Sequence, residues 1–229
     1  VRSVTDLNKA MTLVDMTMSN MSGSSLYSLK QQSLSMAKDL SAATKTVTDA
    51  VTIYANENES VSSMLNKAQP TVLLSAASGM SSSSSADAIQ GILNQFNLSE
   101  DQAMHVADTV EKLSSEIALD FSKGCDTISQ SIATSGSVVN EAGMSFEKYA
   151  ALVSTTAEKT RVSGSQIGNA FKTIFSRISR SKDGLTTDAE MSDAEAALKS
   201  VGVSVRRADG DLRDISDTLD DLNKVCIMQ

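Results

Sequence analysis

The 229-residue chain has no Trp, one proline and 3% aromatic residues, and it carries 20 basic against 28 acidic side chains for a formal charge of −8. Its abundance of Ala, Ser, Met, Leu and Thr argues against a sheet-rich fold and for helices packed through small contacts. The acidic balance argues against nucleic-acid binding by phosphate neutralisation, which needs a basic excess or stripe. The expected fold class is therefore all-α, in a chain long enough for one large core or two smaller ones.

In chain order, Val4, Leu7, Met11, Val14, Met18 and Met21 recur at steps of three and four before Ser22-Gly23-Ser24-Ser25 interrupts them. A weaker series follows at Ser33, Ala37, Leu40, Thr44, Val47, Val51 and Tyr54. Such spacing makes a seam that must be buried against another helix. It reads as an N-terminal helical hairpin over residues 1–59, turning at Gly23; self-association through the same seam is the other reading. Small and polar seam residues such as Ser33 and Thr44 favour the hairpin.

Residues 60–180 read as a helical repeat core. Ser60 caps a short helix through Val61, Met64, Leu65 and Ala68, which Pro70 is expected to limit. Thr71–Ala77 is an apolar run that reads as buried helix, and Gly79–Ser85 (GMSSSSS) reads as a hinge or helix lead-in. Ala86–Phe96 is a helix ended by Asn97, and Ser99 with Gln102 forms a capping box for the next. Asn97-Leu98-Ser99 is echoed by Gly143-Met144-Ser145 and, more loosely, by Gly202-Val203-Ser204. A left-handed Asn or Gly followed by an apolar residue is a helix-ending signal, so the three echoes predict helix–turn–helix repeats. After Ser145 the apolar positions are Phe146, Tyr149, Ala150, Leu152 and Val153. Beyond the Arg161–Ser165 break, Ile167, Ala170, Phe171, Ile174, Phe175 and Ile178 form a second buried stripe.

Residues 181–229 read as an exposed loop (Arg180–Asp188), the helix Asp193–Ser200, a small β-hairpin near Val203–Leu212 around Asp209-Gly210, and a helix Ser216–Val225 with Leu219 and Leu222 inward. The chain begins with Val1 and stops at Gln229 just after a helical pattern, which reads as part of a longer protein.

No catalytic, cofactor-binding or metal-binding residue is assigned. The lone His105 has no second ligand at metal spacing, and Cys125 and Cys226 lie far apart with no CxxC pattern, as for free thiols. Asp209-Gly-Asp211 lacks the Glu that ends a calcium loop, since residue 220 is Asp. Gly164-Ser-Gln-Ile-Gly168 lacks the Lys-Ser/Thr of a phosphate loop, so helix capping accounts for it better. The paired Asp220-Asp221 belongs to a solvated face. The basic cluster Lys172, Arg177, Arg180 and Lys182 complements a helix C-terminus. No apolar run reaches the length of a membrane span.

Ordered segments carry a resemblance: Leu7-Asn-Lys-Ala-Met-Thr12, Ala86–Phe96, Val110-Glu-Lys-Leu113, Asp120-Phe-Ser-Lys-Gly124 and Gly136–Gly143. Glu158-Lys-Thr-Arg161, Ser163–Ala170, Lys172–Arg177, Ala197–Val205 and Asp209–Asp214 continue it. In this order the chain resembles the N-terminal helical region of tail tape measure proteins of tailed bacteriophages. That resemblance implies a structural protein of the virion tail, assembled in the host cytoplasm, that sets tail length, templates the tail tube and assists genome delivery. It implies as partners the tail tube protein, tail assembly chaperones and tail-tip or baseplate proteins, with no family active site to carry over. At about 1.5 Å per residue even an unbroken helix of this chain would reach only about 340 Å, so the measuring would rest on a longer parent. A cellular helical adaptor or signalling-type module is the alternative from another class.

Overall fold

The computed structural model describes residues 2–18, 22–56, 60–179, 193–211, 213, 214, 217–221 and 224. Its helices are α1 (Arg2–Thr17), α2 (Gly23–Asp39), α3 (Thr44–Asn56), α4 (Val61–Ser78), α5 (Ser82–Phe96), α6 (Ala103–Glu116), α7 (Phe121–Glu141), α8 (Phe146–Thr160), α9 (Gly164–Ser179) and α10 (Asp193–Ser200). The chain is all-helical, and it divides into two compact units, Val1–Cys125 and Asp126–Gln229.

In the first unit the 3–4 spacing of α1 buries Leu7, Met11 and Val14, which join Leu29 and Ala37 of α2 and Val47, Val51 and Tyr54 of α3 in one core. The side chain of Val4 and all of Met21 lie outside the described residues. The second heptad series occupies two helices. Ser41 turns left-handed (φ 50°), and the Ala42 N–H returns to the Ala37 carbonyl at 2.9 Å. The principal partner of α1 is consequently α3.

Pro70 does not end α4; it sits buried inside a helix that runs on to Ser78. A proline removes one backbone donor and crowds the preceding turn. Here the Thr71 hydroxyl donates to the Lys67 carbonyl at 2.8 Å in that same turn, and the apolar residues beyond it fasten the helix to its neighbours. The serine run is a helix lead-in: Ser81 Oγ accepts from the Ser84 N–H at 3.0 Å and opens α5.

The three echoed turns share one geometry. The N–H of Leu98, Met144 and Val203 returns to the carbonyl of Leu93, Val139 and Leu198 at 2.9, 3.2 and 2.9 Å. Each follows a left-handed residue, Asn97, Gly143 or Gly202. This is the helix-terminating arrangement that satisfies otherwise unpaired carbonyls. With Ala42 it occurs four times among the described residues, that of Ala42 hidden in sequence because serine fills the left-handed position.

Two expectations near the C-terminus are corrected. The β-hairpin near Val203–Leu212 does not form as paired strands among the described residues. The segment is a loop closed by Arg207 N–H to Asp211 O (2.8 Å) and Arg213 N–H to Val205 O (2.9 Å), too few ladder bonds for strands. Arg206 and Arg213 fasten it instead, donating to the carbonyls of Gly210 and Ser204. Residues 217–221 are helical, but Thr218 turns inward while Leu219 is 38% exposed. The Thr218 N–H and hydroxyl both reach the Asp214 carbonyl, which fixes the rotation of that turn. The Arg180–Asp188 loop and Leu222 lie outside the described residues.

Candidate functional site

Among the described residues, those that chemistry would need are not gathered. His105 is exposed on α6, Cys125 is buried on α7, and Cys226 is outside the described residues. Among the described residues no group of three or more His, Cys, Asp or Glu is placed to hold a metal ion. Asp209 Oδ1 accepts the Asp211 N–H at 3.1 Å, so the Asp-Gly-Asp sequence closes its own turn. Lys172 is exposed on α9; the side chains of Arg177, Arg180 and Lys182 are not described. No helix among the described residues is long and apolar enough to cross a membrane.

What the fold does build is two polar seams inside helix packing. In the first unit Lys67 of α4 is fully buried. Its ammonium lies 4.7 Å from the centroid of the Tyr54 ring of α3 and donates to Gln90 Oε1 of α5 at 2.9 Å. The Tyr54 hydroxyl meets Thr71 Oγ1 at 2.7 Å. Thr71 has spent its own proton on the Lys67 carbonyl, so Tyr54 is the donor. Between α1, α3 and the start of α5 an open groove of about 480 Å³ is lined by Lys9, Leu13, Asp49, Ile53 and Ser82 among others.

In the second unit α9 crosses α7 with almost no side chain between them. A Cβ on Gly164 would come within 2.3 Å of the Thr127 carbonyl oxygen, and one on Gly168 within 2.8 Å of the Ser131 carbonyl. Two glycines one turn apart let backbones approach this closely, as they do in small-xxx-small helix pairs. The Gly164–Gly168 segment is also capped: Ser163 Oγ accepts the Gln166 N–H, and Gln166 Oε1 accepts the Ser163 N–H at 3.2 Å. Capping was legible in the sequence; the crossing was missed, although its signal, the G-x-x-x-G spacing, was in plain view. The crossing also rotates the buried stripe of α9. Ile167 and Phe175 are buried, but Ala170 is exposed and Ile174 is 47% exposed, because the glycines occupy part of the inward face.

Beside that crossing, the Tyr149 hydroxyl of α8 lies 3.1 Å from Ser131 Oγ and 2.5 Å from Ser135 Oγ of α7. Burial pushes the Tyr149 phenol above its ordinary range, the two serine hydrogen bonds opposing the shift. Its ring meets Phe171 and Phe175 edge-on at centroid distances of 5.6 and 6.3 Å. Farther along, Lys148 donates to Asp214 at 2.9 Å, and that bond raises the lysine above its usual range. Asp221 is held below the usual carboxylate range by its hydrogen bonds to Lys224 and Arg213. These groups anchor segments to one another; they do not converge on a vacant reaction centre.

A family model described as "Phage-related minor tail protein" matches residues 30–226. The "Probable tape measure protein" of Escherichia phage P2 is 24% identical over 190 residues, covering 83% of this chain and 22% of that protein. The chain thus spans about a fifth of the length of the curated relative it matches. No solved structure matches it. With the match running over most of its length, the chain belongs to the phage-related minor tail protein family.

Proposed function

We propose that the chain is the helical region of a tail tape measure protein, a non-enzymatic part that helps set tail length and template the tail tube, and that aids genome delivery. The observation that carries this reading is the alignment to the P2 protein over 190 residues, within a family match of residues 30–226. Two polar seams locked into helix packing support a structural role. Its proposed partners are the tail tube protein, tail assembly chaperones and tail-tip or baseplate proteins, met in the host cytoplasm and carried into the virion tail. No cofactor enters the proposal.

The test is an in-frame deletion of a helical block elsewhere in the full-length gene, with tail lengths read by electron microscopy. Tails shortened in proportion to the deleted length are expected. Tails of unchanged length would remove the ruler from the proposal.

A further inference from the structure

The 3–4 seam of α1 is spent inside the first unit, where Leu7, Met11 and Val14 are buried. The outward face of the same helix carries a second pattern. Leu13 is 53% and Met16 76% exposed on it. Lys9 and Asp15, both exposed, have no ion-pair partner among the described residues. Thr5, Asn8, Lys9, Thr12 and Leu13 line an open hollow of about 480 Å³ on this face. The first four stand at i, i+3, i+4 and i+7, the spacing of a hole that receives one side-chain knob from a facing helix. The Lys30 ammonium donates to Asn8 Oδ1 at 2.8 Å and holds one rim of that hole.

We infer that this face pairs with the same face of a second copy, α1 against α1 and antiparallel. Met16 is the knob. With Met16 of one copy seated between Asn8 and Lys9 of the other, the two-fold axis passes beside Thr12. The register is self-complementary, so the second copy's Met16 fills the hole of the first. It also sets each Lys9 level with the other copy's Asp15, an unpaired cation against an unpaired carboxylate at both ends. A parallel pair would align Lys9 with Lys9 and Asp15 with Asp15, which repel. The two Leu13 side chains meet near the axis and close the middle of the contact. Charge matching of this kind fixes orientation more than it adds affinity. A contact between two sixteen-residue helices is small beside the roughly 1,200 Å² of a stable interface, so the pair forms on concentration and separates on dilution.

The experiment is sedimentation velocity on the whole chain at low salt, from about 1 μM to about 1 mM. The unaltered protein should pass from monomer to dimer within that range. Met16→Ser should raise the concentration of half-association by about tenfold or more, because both knobs are lost, while helicity stays as it was. Lys9→Glu should weaken the dimer several-fold, and Lys9→Glu combined with Asp15→Lys should recover it. A monomer at every concentration overturns the pairing, and so does a dimer that Met16→Ser leaves intact, which would place the contact on another face. A combined variant no tighter than Lys9→Glu overturns the antiparallel register. If Met16→Ser lowers helicity, the Lys9 and Asp15 variants decide by themselves in the same way.

Discussion

Each unit buries one tyrosine completely, and the two do it differently. Tyr54 lies against a lysine and gives its proton to a threonine that is already bonded elsewhere. Tyr149 sits on two serine hydroxyls beneath a pair of phenylalanines, next to a crossing where glycine backbone touches backbone. The first arrangement holds helices through long, adaptable side chains; the second holds them through fixed main-chain shape. Side-chain seams tolerate adjustment because a rotamer can move. Backbone crossings do not, because nothing can move except a whole helix.

Glycine substitutions should break this comparison most sharply. Gly164→Ala puts a methyl against the Thr127 carbonyl and Cα, both backbone, so α9 must shift away from α7. The expected cost is about 3 kcal/mol, at the upper end for overpacking. Gly91→Ala on α5 of the first unit meets nothing within 4 Å and should stabilise its helix by about 0.5–1 kcal/mol. Urea unfolding monitored by exchange of α5 and α8 amides would measure both. Equal effects of the two substitutions would erase the distinction between the units.

Removing the two phenol hydroxyls is the next step down. Tyr149→Phe takes from Ser131 Oγ its bond to the phenol, while Ser135 keeps the Ser131 carbonyl. A buried hydroxyl deprived of a partner costs about 1–2 kcal/mol. Tyr54→Phe leaves Thr71 still donating to Lys67, so the cost should fall below about 1 kcal/mol. Thermal unfolding of the two variants side by side gives the order; a larger loss for Tyr54→Phe would contradict it.

Much of this was legible in the sequence, because capping and periodicity are local. Ser145 and Ser60 accept the hydrogen bonds that helix starts require, and Asn97 and Gly143 turn left-handed where helices end. The helix Asp193–Ser200 lies where its pattern placed it. What escaped depended on neighbours far along the chain. Pro70 reads as a breaker until α4's contacts outweigh it, and Ser41 hides a turn because the 3–4 spacing carries straight across it. Ile174 reads as core because apolar spacing cannot reveal that α7 takes the glycine face. Leu219 reads as inward for the same reason, since Asp214 sets the rotation of its helix. The two polar seams were not legible at all, because a lysine or a serine on a helix gives no sign of which helix will cover it.

The smallest effect concerns a half-buried carboxylate of the first unit. Glu111 on α6 has a carboxyl oxygen buried without a hydrogen-bond partner, and desolvation, with help from the nearby Asp108 charge, raises it above its ordinary value. A raised carboxyl favours the folded state only while protonated. Its contribution is therefore complete below the ordinary glutamate range and is lost as pH climbs through the raised folded value. Glu111→Gln stays neutral throughout, so variant and unaltered protein should match at pH about 4 and separate toward neutral pH, the variant being the more stable. Because the residue is only half-buried, solvent screens most of the effect, leaving a gap of a few tenths of a kcal/mol. Asp108→Asn in the unaltered background should close part of that gap by removing the secondary cause. Melting temperatures across that pH range decide the matter: a gap that is constant with pH, or widest in acid, would mean that Glu111 is not held as an uncomfortable carboxylate. Only the half-exposure of Glu111 keeps the cost of its unbonded carboxyl oxygen small.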